Sequence, residues 1–146
     1  MFDGCTSLKS IIDLINFNFS SVNNMNLMFY DCKALTSINI NINSSSLLNA
    51  IKLFYGCINL QKININLYAP NVIDLNYMFF NCSHLTSIDL SNSYLPSVLY
   101  MANIFQECIS LKSVNLSNII NNNCEYICVR VCTTNINILI IGIPDR

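Results

Sequence analysis

Cys82, His84 and Asp89 fall within eight positions of the stretch MFFNCSHLTSIDL, residues 78–90. A thiol beside an imidazole and a carboxylate is a donor set for a metal ion, and equally the outline of a cysteine nucleophile activated by a base. Either chemistry requires the three side chains to converge on one point, so the elements that carry them decide the matter. The rest of the chain offers no competing centre. Asp31, Asp74 and Glu107 stand singly in unrelated positions, which leaves no carboxylate pair for acid–base work. His84 is the one histidine, and Gly4, Gly56 and Gly142 are isolated, so no glycine-rich phosphate loop is present. No catalytic residue, cofactor site or metal site is read from the sequence.

The elements come from a repeat. The stretch recurs as MFDGCTSLKSIIDL from Met1, MFYDCKALTSINI from Met28, LFYGCINLQKINI from Leu53 and IFQECISLKSVNL from Ile104. Its cysteines stand at 5, 32, 57, 82 and 108, in successive steps of 27, 25, 25 and 26. Within each unit the spacing changes character. Val72, Leu75, Phe79 and Cys82 are 3, 4 and 3 apart, as are Val22, Met25, Phe29 and Cys32, which predicts one face of a short helix. Ser21, Ser46, Asn71 and Ser97 precede that spacing and are expected as N-caps, with Pro70 and Pro96 just outside. After the cysteine the pattern alternates: Ile88 and Leu90 inward, Ser87 and Asp89 outward. Ile38/Ile40, Ile63/Ile65 and Val114/Leu116 do the same, which predicts a strand. A unit this small cannot bury its apolar face alone, so the units are expected to stack as a solenoid with a parallel sheet on one side. The first unit has one residue more, Ile11 or Ile12, and a bulge is expected there.

The motif M-F-x-x-C-x-x-L-x-S-I-x-L, with V-x-x-M shortly before the next M-F, resembles the BspA-like class of leucine-rich repeats over about residues 1–118. The resemblance implies an α/β, right-handed leucine-rich-repeat solenoid of about five coils, each with one short parallel strand and one short helix. It also implies binding or adhesion at a cell surface, by an unknown protein or glycan partner, and no catalysis. Neighbouring repeats are expected as partners if the chain is a fragment, and Met1 at the repeat's own M-F position raises that expectation.

The sister units then dissolve the opening cluster. Cys82 belongs to the column Cys5, Cys32, Cys57, Cys82, Cys108, which is expected as a buried core column of reduced thiols. His84 shares its column with Ser7, Ala34, Asn59 and Ser110, a position with no fixed type. Asp89 falls in the outward column Asp13, Asn39, Asn64, Asp89, Asn115, pointing away from the cysteine; this column is the candidate concave contact face.

Composition narrows the partner. Hydrophobic residues are 53%, charged residues 10% and net charge −1, with Lys and Arg scattered singly, which excludes a nucleic-acid surface. The outward strand residues are small and polar, which suits a protein segment or a glycan better than an anionic polymer. Ile136–Ile143 is far shorter than the roughly 20 residues of a membrane span. The N-terminus lacks the basic start and apolar stretch of a secretory signal. From residue 119 the repeat motif stops, and 119–146 is expected as a divergent cap or non-repeat tail. Cys124, Cys128 and Cys132 there have no fourth zinc ligand near them, and alternation from Val129 to Ile143 suits a closing strand.

Overall fold

The computed structural model describes residues 1–12, 14–117 and 119 and the backbone of 139–141. Asp13, Cys124, Cys128 and Cys132 lie outside the described residues. The chain winds repeatedly past the same core, and each winding takes the name of its cysteine. Among the described residues five strands result, every pairing between them parallel: β1 (Ser37–Asn43), β2 (Lys62–Tyr68), β3 (Ser87–Asp89), β4 (Ser113–Asn115) and β5 (Leu139–Ile141). β1 pairs with β2 in unbroken register from Ser37↔Lys62 to Asn43↔Tyr68. β4 pairs with β3 from Ser87↔Ser113 and with β5 from Ser113↔Leu139, each time with an offset one position longer than that between β1 and β2. In β1 the sequence SINININ buries every isoleucine and exposes every partner, as a half-buried strand must.

The expected helices do not form. Among the described residues the helical structure is one 3₁₀ turn at Leu14–Asn16, so Ser21, Ser46, Asn71 and Ser97 cap no helix. The segments with 3-4-3 apolar spacing are successive turns instead. Two positions in each adopt left-handed backbone: Leu27, Lys52, Tyr77 and Asn103 in one column, and Gly4, Asp31, Gly56, Asn81 and Glu107 in the other. A helix cannot propagate through such residues, so its hydrogen bonds are divided. Met28, Tyr30 and Cys32 donate backward within the turn to Met25, Leu27 and Phe29 at 3.1–3.3 Å. Met25, Leu27, Phe29 and Asp31 donate to the next winding, to the carbonyls of Asn49, Ile51, Leu53 and Tyr55 at 2.7–3.1 Å. Ala50, Lys52, Phe54 and Gly56 repeat this toward Asp74, Asn76, Met78 and Phe80. A left-handed non-glycine residue costs roughly 1–3 kcal/mol. Ladder bonds worth about 1 kcal/mol each, and the burial that stacking achieves, offset it. Apolar spacing alone does not distinguish a helix from paired turns, because both place the same residues inward.

The core is a set of columns running through the stack. Phe2, Phe29, Phe54, Phe79 and Phe105 stack ring on ring at 5.1–5.7 Å. Beside them Cys32, Cys57, Cys82 and Cys108 are buried, while Cys5 is half-buried. Ile12, one of the two candidates for the extra residue of the first unit, is 83% exposed.

The sheet is divided between β2 and β3, into a two-stranded and a three-stranded part. The winding of Cys82 carries one more residue than its predecessor, since Asn43 pairs with Tyr68 but Tyr68 bridges Tyr94. The extra length is taken up by a turn in which Ser93 N–H donates to Leu90. Ser93 is buried, and its hydroxyl accepts the Leu67 N–H at 3.2 Å, replacing a strand partner. No described buried side-chain oxygen or nitrogen is left without a hydrogen bond.

Candidate functional site

Cys82, His84 and Asp89 each turn to a different backbone partner. The Cys82 thiol donates to the Phe54 carbonyl at 3.2 Å in the core. His84 is exposed and its Nδ1 reaches the Ile58 carbonyl at 2.7 Å. Asp89 is on the surface, where its Oδ1 accepts the Ser91 N–H at 2.9 Å. Among the described residues no three of His, Cys, Asp and Glu gather as a metal would require.

The thiols are a structural column. Cys32, Cys57 and Cys108 donate to the carbonyls of Phe2, Phe29 and Phe79 at 3.0–3.1 Å, so each cysteine grips the winding before it. Burial pushes Cys32 up to about 11 and Cys57 and Cys108 up to about 12, and Cys82 well above its ordinary range. Neighbouring thiols of the column add to the rise at Cys32, Cys57 and Cys82. Near pH 7 these sulfurs are protonated, and a protonated buried thiol is neither nucleophile nor ligand.

The strand face holds the feature that can receive a partner. An open groove of about 570 Å³ crosses β1 and β2 and reaches the start of β3, within the range of ligand-sized concavities. Its polar lining includes Ser10, Ser37, Asn39, Lys62, Asn64 and Ser87, with the half-buried Ile11 and Ile63 between them. Lys62 is the one charged side chain in that lining. Asn39 and Asn64 are joined, Asn64 Nδ2 donating to Asn39 Oδ1 at 3.1 Å, which leaves further donors and acceptors on both amides.

The outward column therefore divides. Asn39 and Asn64 are brought together in the groove, while Asp89 and Asn115 are not part of its lining. Asn115 accepts the Ser117 N–H at 3.2 Å, as Asp89 accepts that of Ser91, and both close turns at strand ends. The Ser91 hydroxyl and N–H hold the Asp89 carboxyl below its ordinary range.

These windings also decide the comparison with known proteins. Residues 1–132 match the BspA type leucine rich repeat region, in six copies. The chain belongs to the BspA-type leucine-rich repeats. The match reaches beyond residue 118 and counts one copy more than the five cysteine-centred units. No curated protein and no solved structure matches the chain. Leucine-rich repeats of this kind are typically non-catalytic scaffolds, and no described helix is long and apolar enough to cross a membrane.

One surface feature of these repeats escaped the sequence reading. Tyr30, Tyr55 and Phe80 stack at 4.7–4.9 Å outside the phenylalanine core, and Lys52 lies over Tyr55 and Tyr77 at 5.5 and 5.7 Å. The signal was the aromatic residue directly after the column phenylalanine in three successive units.

Proposed function

We propose that the chain is a non-catalytic binding module that receives a protein segment or a glycan on its strand face. The observation that carries this reading is the groove, whose lining offers hydroxyl and amide groups with a single cation. Such a surface selects by hydrogen-bond pattern more than by long-range steering. Asn39 and Asn64 form the centre of contact, and Asp89 and Asn115 extend the same column; Asp13, of that column in the sequence, lies outside the described residues. The module works at a cell surface, within an adhesive array, and 119–146 serves as a divergent cap.

A second reading, a spacer whose role is length and display, is favoured by the ladder that ties each winding to the next. Glycan arrays and arrays of extended peptides, read with the unaltered chain and with Asn39→Arg and Asn64→Arg, separate the two. The binding reading expects partners whose affinity falls at least about tenfold with either arginine, a loss of about 1.4 kcal/mol. If every partner found binds both variants unchanged, the strand face is not the site.

A further inference from the structure

Two exposed rings stand on the strand face at the end away from the groove. Alternation turns Ser37, Asn39, Asn41 and Asn43 outward on β1, and Lys62, Asn64, Asn66 and Tyr68 outward on β2. At the far end Asn43 pairs with Tyr68, Tyr68 bridges Tyr94, and the two tyrosine rings stack at 5.3 Å with 20° between their planes. They are 50% and 51% exposed, and among the described residues no other stacked pair leaves both rings exposed. Tyr94 covers one face of the Tyr68 ring. The other face looks upstream over exposed Asn43, whose short side chain stands where a further ring would.

Between the groove and these rings the face has one chemistry. Five of the outward residues of β1 and β2 are asparagines, and Lys62, at the end away from the tyrosines, is the one charged residue among them. A primary amide carries two donors and an acceptor with two lone pairs. A sugar hydroxyl likewise donates and accepts, so a row of amides satisfies a row of hydroxyls. The flat face of a pyranose ring presents C–H hydrogens, which suit the negative face of an aromatic ring. Peptides match this surface less well. A proline-rich segment stacks on rings, but its prolines have no N–H to give the amide oxygens. An ordinary extended segment satisfies the amides, but its side chains alternate and offer the rings no continuous flat face.

We propose that the partner of the strand face is a neutral oligosaccharide, lying along β1 and β2 with its hydroxyls on the asparagine amides and one pyranose ring stacked on the upstream face of Tyr68. This rests on the strand face being the binding surface, and it names what that surface binds. From Lys62 to Tyr68 the strand runs roughly 20 Å, the length of a short oligosaccharide rather than of one sugar. The groove and the tyrosine pair are then two ends of one site.

An array of neutral and acidic oligosaccharides, read with the full chain beside an array of extended peptides, tests this. The strongest neutral oligosaccharide on the array is then titrated into the unaltered chain, Tyr68→Ala, Tyr68→Phe and Asn43→Arg, with the thermal midpoint of each variant read alongside so that loss of fold is not mistaken for loss of contact. Affinity is expected to fall at least about tenfold in Tyr68→Ala and to stay within about twofold in Tyr68→Phe, which keeps the ring. Asn43→Arg leaves both rings in place but fills the space over Tyr68, and a loss like that of Tyr68→Ala is expected. Added salt should change the affinity little, since no charge is shared. Full affinity in Tyr68→Ala and in Asn43→Arg would overturn the proposal. Binding confined to acidic oligosaccharides would move the contact to Lys62 and overturn it too. Peptide ligands alone, weakened by Asn39→Arg, would overturn it while the binding reading of the strand face stands; ligands on neither array would sink both.

Discussion

Along β1 and β2 the alternation of apolar with polar residues runs for seven positions, and the amides of Asn39 and Asn64 meet each other across the strands. Along β3 and β4 the strand runs for three, and Asp89 and Asn115, at the same places in their windings, touch each other but also bond forward to Ser91 and Ser117. The side chains are nearly alike, so the residues next along the chain make the difference. Asn39 leads into Ile40-Asn41-Ile42 and the strand goes on, whereas Asp89 leads into Leu90-Ser91-Asn92. An Asx side chain that can bond the N–H two residues on competes with the ladder for its own backbone, and it prevails once the apolar alternation no longer supports a strand. The groove is consequently centred on the long-stranded windings.

Beneath this difference the phenylalanine and cysteine columns run through both regions without a break, and the largest expected effects lie there. Phe54→Ala and Phe79→Ala should each cost about 3–5 kcal/mol, since both rings are fully buried and each stacks on two neighbours. Urea unfolding followed by circular dichroism should show one transition in both variants, because a shared core makes the two regions one cooperative unit. A first transition confined to the region of the substituted ring would separate them, and would mark the divided sheet between β2 and β3 as a boundary of stability.

Ser93 tests that boundary at a smaller scale. Its hydroxyl is the partner of the Leu67 N–H at the point where the extra residue displaces the ladder. Ser93→Ala leaves that buried donor unpaired, an expected loss of about 1–3 kcal/mol. Ser44, also buried, donates to the Val22 carbonyl at 2.7 Å and accepts the Ser46 N–H at 3.3 Å; Ser44→Ala leaves an acceptor with two lone pairs and an N–H on the exposed Ser46 that water can reach, and the smaller loss of the two is expected there. Midpoints from the same urea series check the order. Equal losses would mean that the extra residue strains the winding of Cys82 no more than the regular ones.

The repeat period, the strands and the inward columns were legible because stacked windings impose the same burial on the same column, and five copies average out local accidents such as His84. The turns were not legible from apolar spacing. Their trace was a different column, Gly4, Asp31, Gly56, Asn81 and Glu107, in which glycine, aspartate and asparagine are residue types that tolerate left-handed backbone. For the contact face, the outward column could be listed but not divided. Whether Asn39 or Asp89 lines the groove depends on strand length, which rests on residues two and three positions further along. The groove itself is a property of several windings together and has no signature in any single residue.

The finest test of the comparison is the carboxylate that ends β3. Asp89→Asn keeps an oxygen for the Ser91 N–H and should change stability by less than about 0.5 kcal/mol at neutral pH. Asp89→Ala removes the turn's acceptor and should cost about 0.5–1.5 kcal/mol. The pH dependence carries the sign. Because the folded carboxyl sits below its ordinary 3.8, its contribution is present above that value and is lost as pH falls through the folded value. The advantage of the native chain over Asp89→Asn, measured by urea unfolding at pH 6 and again near pH 3, should therefore shrink, and by little, since the group lies on the surface and solvent screens it. An advantage that holds steady across that range would mean that shape alone ends β3, as it does at Asn115, where an uncharged amide closes the same turn.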